Sequence, residues 1–233
     1  MTEGTVQNKD LFLNKISDKL GRNRLEQVAL PKWKFQPQWK IYQNDSAAEL
    51  LATFRKNSEA KAVYVVETEK ANLAETLWNV FAKYGGGPVV ATRDSRFAAY
   101  DLVSLLEDAE AHTWDAALGT ENISITKKAN IGLFFSDIAL AESGTIVQFN
   151  DKDIARSVSL LPITYVALVP KSSIVPRMTQ ATQKIGKLVQ EKQDIATCIN
   201  FISGPSNSAD IEMDIVIGVH GPVEAVHIVI TDE

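Results

Sequence analysis

Helical and strand-like segments alternate along residues 46–91, and this alternation constrains the fold more than any other feature. Residues 46–49 read Ser-Ala-Ala-Glu, a capping-box pattern that predicts the start of a helix. The apolar run 62–66 predicts a strand, residues 73–84 carry apolar residues at helical spacing, and 88–91 predicts a second strand. A helix–strand–helix–strand order favours a parallel sheet with helices packed on it. We therefore expect an α/β fold, a sheet wrapped by helices.

A polar turn interrupts the apolar stretch 131–149 and is the first candidate for chemistry. The pattern is strand, tight turn, strand, and the turn reads Glu142-Ser143-Gly144-Thr145. Gly144 between two hydroxyls suits a turn whose backbone N–H groups face outward and hold an anion or a carboxylate. Glu142 and Asp137 are the carboxylates placed to act there. A plain hairpin turn explains the same pattern equally well, so both interpretations stay open.

Residues 203–222 form the second candidate region. A loop-type run at 203–208 is followed by alternating acidic and apolar residues, the apolar run 215–219 and a turn at 220–222. The apolar run is typical of a strand buried on both faces. Polar loops at the ends of buried strands are where open α/β folds place their ligand sites.

Several side chains of this second region have more than one interpretation. Ser206 and Ser208 would cap a short helix or bind an anion. Asp210, Glu212 and Asp214 share one face if the chain is extended, where they would bind a metal, share a proton, or simply face solvent. No histidine stands at metal-ligand spacing beside them, so we predict no metal site.

The N-terminal part differs from the rest. Residues 8–20 have the spacing of an amphipathic helix, and 22–43 form an aromatic, proline-containing arm that includes Trp33 and Trp39. Aromatic side chains in an arm pack either on their own domain or on a partner chain, which makes a homo-oligomer one expectation. We expect a helix-and-arm extension over 1–43 and an α/β domain over 44–233.

Composition narrows the class of protein. The formal net charge is −5 and no basic run stands out, which argues against nucleic acid as a partner. Cys198 is the sole cysteine, so the chain forms no internal disulfide and holds no iron–sulfur cluster on its own thiolates. With neither a secretory pattern nor an apolar run of about 20 residues, we expect a cytoplasmic protein without a membrane span.

These motifs together resemble the lactate-utilisation domain family. The resemblance is carried by the Glu-Ser-Gly-Thr turn at 142–145 and by the segments 203–212 and 218–222, in this order and spacing. It extends to the end of the first helix at 20–22 and to the aromatic arm at 31–39, and so covers the whole chain.

The resemblance implies a fold similar to that of sugar-phosphate isomerases and coenzyme A transferases. It also implies a role in oxidising L-lactate to pyruvate, together with two partner proteins that carry iron–sulfur clusters. Longer members of the family join this domain to cysteine-rich cluster motifs, which are missing here and leave the chain without a cofactor of its own. Asn207 stands where a basic residue is frequent in the family, which argues against a strongly anionic ligand at that loop.

The physical interpretation of the residues supplies the site prediction. We predict Glu142 as a catalytic base or nucleophile, and a small carboxylate as the ligand. The predicted ligand-binding residues lie in the two turns and the segment between them: Ser143, Gly144, Thr145, Gly204, Ser206, Ser208, Asp210, Glu212, His220 and Gly221. The alternatives are a stand-alone transferase- or isomerase-like enzyme that uses Glu142, and a scaffold or regulatory subunit without catalysis.

Overall fold

The computed structural model describes residues 6–25, 29, 31–191, 195–196, 198–209 and 213–231. The chain divides into two compact units, Met1–Pro37 and Gln38–Glu233. The first unit contains helix α1 (Lys9–Lys19), which lies within the predicted helix. Most of its described large apolar side chains are exposed; Trp33 is 73% and Phe35 is 86% accessible.

The second unit holds the remaining helices and the strands. The helices are α2 (Ala47–Glu59), α3 (Leu73–Lys83), α4 (Arg96–Ala99), α5 (Val103–Asp108), α6 (Thr120–Thr126), α7 (Ser157–Leu160) and α8 (Met178–Gln190). The strands are β1 (Val63–Glu69), β2 (Val89–Ala91), β3 (His112–Thr113), β4 (Ile131–Phe135), β5 (Ile138–Leu140), β6 (Thr145–Asn150), β7 (Thr164–Pro170), β8 (Ile174–Val175), β9 (Cys198–Ile202), β10 (Asn207–Ser208), β11 (Val216–Ile217) and β12 (Glu224–Thr231). Within the described ranges, no helix is long and apolar enough to cross a bilayer.

A six-stranded sheet with the order β1-β12-β7-β4-β2-β3 forms the centre of this unit. Every neighbouring pair in it is parallel. A second sheet has the order β8-β5-β6-β9, in which β6 is antiparallel to both of its neighbours. The parallel central sheet with helices on it confirms the predicted α/β class.

Both faces of the central sheet are buried, which explains its continuous apolar strands. One face packs on α3, α4 and α5, where Leu73, Leu77 and Phe81 belong to the same apolar cluster as Ile131 and Leu133. The other face packs on α2 and on the inner face of the second sheet. The outer face of the second sheet is covered by α8.

The apolar run 215–219 is not the buried strand that its composition predicted. Only Val216–Ile217 is extended; it pairs with Asn207–Ser208, and Ile215 is 73% exposed. The prediction was wrong because burial cannot be read from an apolar run alone. The sheet position between β1 and β7 is taken by Glu224–Thr231, whose residues Ala225 to Ile230 are at most 1% exposed.

Candidate functional site

A cavity of about 400 Å³ lies at the amino ends of β7 and β12. It is lined by the loop 203–207, the turn 220–222 and side chains of β9. The cavity therefore brings together four of the predicted ligand-binding residues, listed here in chain order: Gly204, Ser206, His220 and Gly221. Open α/β sheets more often place ligands at the carboxyl ends of their strands, so this location is unusual for the fold class.

Ser206 joins the two loops. Its backbone N–H donates to the carbonyl of Pro222 at 2.9 Å, and its carbonyl accepts from the N–H of Gly218 at 2.8 Å. Its hydroxyl accepts from the N–H of His220 at 3.3 Å. The loop and the turn are therefore held as one wall of the cavity.

Tyr165 lines the cavity and forms a buried, uncharged pair with His227 behind it. The Tyr165 hydroxyl lies 3.1 Å from Nε2 of His227 and accepts a hydrogen bond from the backbone N–H of Gly204. Burial lowers the pKa of His227 from 6.5 to about 3 and raises the pKa of Tyr165 above its ordinary value. Both side chains are therefore neutral at physiological pH, and they position Gly204 without adding charge.

The Glu142–Thr145 turn connects β5 to β6 and packs on the end of α2. Gly144 has φ +58°, and a Cβ atom added to it would lie 2.4 Å from the backbone nitrogen of Ser58. The Asn57 amide donates to the carbonyl of Glu142 at 2.9 Å, and the Glu142 carboxylate accepts from Nε of Arg177 at 2.7 Å. This geometry is that of a hairpin turn anchored to its surroundings on both sides.

Lys61 connects the turn to the cavity. Its ammonium group donates to the carbonyl of Ser143 and to the hydroxyl of Ser203, both at 2.6 Å. The Ser143 hydroxyl donates to Thr145, which in turn donates to Ser203 at 3.1 Å. The two sequence regions thus meet at Ser203. Sequence reasoning missed Lys61, because a single lysine between a helix and a strand matches no motif.

The remaining predicted residues lie apart from this cluster or outside the described residues. Ser208 pairs with Val216 in the short hairpin. Asp210 and Glu212 lie outside the described residues, and Asp214 is exposed. In the described part of the chain, no group of three or more His, Cys, Asp or Glu side chains could hold a metal ion.

A second polar cluster lies at the carboxyl ends of β2 and β4. Arg96 donates to Asp94 through Nη2 at 2.6 Å and contacts Asp137 at 2.9 Å. Burial raises the pKa of Asp137, and the neighbouring Arg96 opposes that rise. A cavity of about 300 Å³ lies beside the cluster and is lined by Thr92, whose buried hydroxyl has no partner among the described residues. Sequence reasoning named Asp137 but missed Arg96.

A comparison with protein-family models shows which family the chain belongs to: residues 51–231 match the LUD domain. The chain belongs to the LUD domain family. Full-length relatives carry the name Lactate utilization protein C: the Bacillus licheniformis protein is 49% identical and the Bacillus subtilis protein 48% identical, each over 239 residues and 100% of both chains. The protein of that name from Macrococcus caseolyticus is 47% identical, again over 100% of both chains.

A solved structure supports the fold of this LUD domain protein. The crystal structure of a DUF162 family protein from Deinococcus radiodurans superposes with a TM-score of 0.57 at 21% identity. The superposition covers 79% of this chain and 98% of the other. At that identity the likeness concerns the arrangement of helices and strands and carries no information about ligands.

Proposed function

We propose that this LUD domain protein is a subunit of a cytoplasmic L-lactate-oxidising system. The observation that carries the proposal is identity of nearly one half, over the full length, to proteins named Lactate utilization protein C. In the proposed reaction, L-lactate loses two electrons and two protons and becomes pyruvate.

The electrons pass to iron–sulfur partner proteins in this proposal. An iron–sulfur cluster is commonly held by four cysteine thiolates, and these 233 residues contain Cys198 alone. Cys198 lies on β9, where its thiol donates to Oδ1 of Asn200 at 3.4 Å. The chain therefore acts on lactate, or on the assembly of the system, while its partners carry the electrons.

A scaffolding role is the second candidate, and the N-terminal unit favours it. Trp33 and Phe35 are large apolar side chains exposed to 73% and 86%. Exposed aromatic residues of this kind are typical of protein–protein contacts. In this role the chain brings the iron–sulfur proteins together without touching lactate.

The stand-alone transferase- or isomerase-like alternative depends on Glu142 as base or nucleophile. The hydrogen bond from Arg177 and the contacts of the turn with α2 favour an anchoring role for this residue instead. Glu142→Gln decides between the two roles, because it keeps the size and the hydrogen-bonding capacity of the side chain while removing its charge.

The test is L-lactate-dependent reduction of an artificial electron acceptor by the chain reconstituted with its iron–sulfur partners. We expect turnover to vanish when the chain is omitted, and to persist in Glu142→Gln and in the exposed control Glu75→Gln. Complex assembly is measured in the same samples. Equal turnover with and without the chain would refute the proposed function. Loss of turnover by orders of magnitude in Glu142→Gln alone, with assembly intact, would make Glu142 catalytic.

A further inference from the structure

Two buried amides beside the loop cavity have unused donors. Gln148 on β6 and Asn200 on β9 are cross-strand neighbours. Their oxygens accept hydrogen bonds from Ser159 at 2.9 Å and from Cys198 at 3.4 Å. Their nitrogens, Nε2 of Gln148 and Nδ2 of Asn200, are buried and have no partner among the described residues. Buried amide groups normally find an acceptor, so this pair needs one.

Ser203 supplies a second donor from the lining of the cavity, to which Gln148 does not belong. Its hydroxyl oxygen accepts from the ammonium group of Lys61 at 2.6 Å and from the Thr145 hydroxyl at 3.1 Å. Both lone pairs of that oxygen are thereby engaged, and its own proton remains to be donated. Ser203 and Asn200 both line the cavity.

The charges around the cavity favour a ligand with one negative charge. The described lining contains no aspartate or glutamate, and it includes Tyr165, whose hydroxyl pairs with the neutral side chain of His227. Lys61 places one positive charge directly behind Ser203. A hydrogen bond to an ionised acceptor is stronger than one between neutral groups. The single positive charge of Lys61 matches the single negative charge of one carboxylate.

We infer that this cavity binds a small monocarboxylate with a second oxygen on the neighbouring carbon, the class of 2-hydroxy and 2-keto acids. Ser203 donates to the carboxylate, and Asn200 donates to the carboxylate or to the second oxygen. Leu160, Ile202 and Pro222 contact the carbon chain. The volume of about 400 Å³ lies within the usual range for small-molecule sites and admits acids longer than lactate. The inference rests on the proposed function for the second oxygen on the neighbouring carbon and for the choice of lactate and pyruvate as probes.

The experiment measures binding to the isolated full-length chain by calorimetry and by ligand-observed NMR. The probes are L-lactate and pyruvate, with propane-1,2-diol as the matched compound without a carboxylate. We expect dissociation constants of roughly 1 mM or below for the acids and no detectable binding of the diol. Asn200→Leu and Ser203→Ala should each weaken acid binding about tenfold or more, as expected for the loss of a hydrogen bond to a charged group.

Asn79→Ala is the matched control, because it removes an exposed amide on α3, which packs on the opposite face of the central sheet and contributes no residue to the cavity. The affinity of this control variant for the two acids should stay within about twofold of the wild-type value. Thermal melting of each variant verifies folding, and Ser203→Ala keeps the test decisive if Asn200→Leu fails to fold.

Three outcomes would overturn the inference. The first is that neither acid binds at ~10 mM. The second is that the diol binds as well as the acids, and the third is that Asn79→Ala weakens binding as much as the other two variants. Failure of the site and failure of the proposed function remain distinguishable. If the reconstituted system oxidises lactate while the chain binds no acid, only the site is lost; if the chain binds acid but is dispensable for oxidation, only the function is lost.

Discussion

Gly144→Ala should be among the more damaging single-methyl changes in this protein. A Cβ atom at position 144 would lie 2.4 Å from the nitrogen of Ser58 and 2.7 Å from the carbonyl carbon of Asn57. Both neighbours are backbone atoms of α2, so neither can move aside as a flexible side chain would. The backbone at position 144 is also left-handed, with φ +58°, which costs an L-residue about 1 kcal/mol.

The expected loss combines these two effects. Overpacking in a well-packed region costs about 1–3 kcal/mol, which with the backbone cost gives about 2–4 kcal/mol in the free energy of unfolding. For a domain of this size that corresponds to a fall of roughly 5–15 °C in Tm. Urea unfolding followed by circular dichroism measures the free energy directly, and calorimetry measures Tm.

Gly186→Ala provides the matched control, because it adds the same methyl group where nothing lies within 4 Å. Gly186 lies inside α8, so alanine should stabilise the protein by about 0.5–1 kcal/mol through helix propensity. If Gly144→Ala loses less than about 1 kcal/mol, the close packing of the turn on α2 described above is incorrect. Equal losses in both variants would refute the positional argument as well.

Three further predictions concern charge, pH and partner binding. Arg96→Met leaves Asp94 and Asp137 partly buried without their cation and should lower the free energy of urea unfolding by about 3–5 kcal/mol; a loss below about 1 kcal/mol contradicts this. Between pH 6.5 and pH 3, the free energy of unfolding of the wild type should fall by up to about 1.4 kcal/mol for each unit by which the pH is lowered. The reason is that His227 takes up a proton in the unfolded chain and stays neutral in the folded one. In His227→Gln, the urea midpoint should therefore fall less between pH 7 and pH 5 than in the wild type. An equal fall would show that other groups cause the pH dependence. Trp33→Ser should leave Tm unchanged and weaken binding to the proposed iron–sulfur partner proteins in surface plasmon resonance, since the side chain is 73% exposed; unaltered binding would exclude this residue from the proposed contact.

Local signals in the sequence predicted the elements well. The capping box at Ser46 is present: its hydroxyl accepts from the N–H of Glu49 at 3.3 Å, and the Glu49 carboxylate accepts from the N–H of Ser46 at 2.8 Å. The helix begins where predicted and continues to Glu59. Caps and apolar spacing act within a few residues, which is why they can be read before the fold is known.

The site depended on contacts that no local signal contains. Lys61 and Ser203 are 142 positions apart and meet only because the turn, α2 and the loop after β9 converge. The contact of Arg96 with Asp137 likewise requires β2 and β4 to be neighbours in the sheet. The apolar run 215–219 failed as a prediction for the same reason, because the neighbours of a strand determine its burial.

The unsatisfied amides of Gln148 and Asn200 carry a consequence for the evolution and engineering of this chain. A buried donor without an acceptor costs about 1–3 kcal/mol, so two of them keep the unliganded protein below the stability that its core would otherwise reach. Leucine at position 200 would then relieve part of that cost while removing the donor that the cavity offers. Screens that select for heat resistance alone should therefore drift towards apolar residues at these positions, and the resulting stable variants should lose the proposed binding of acids.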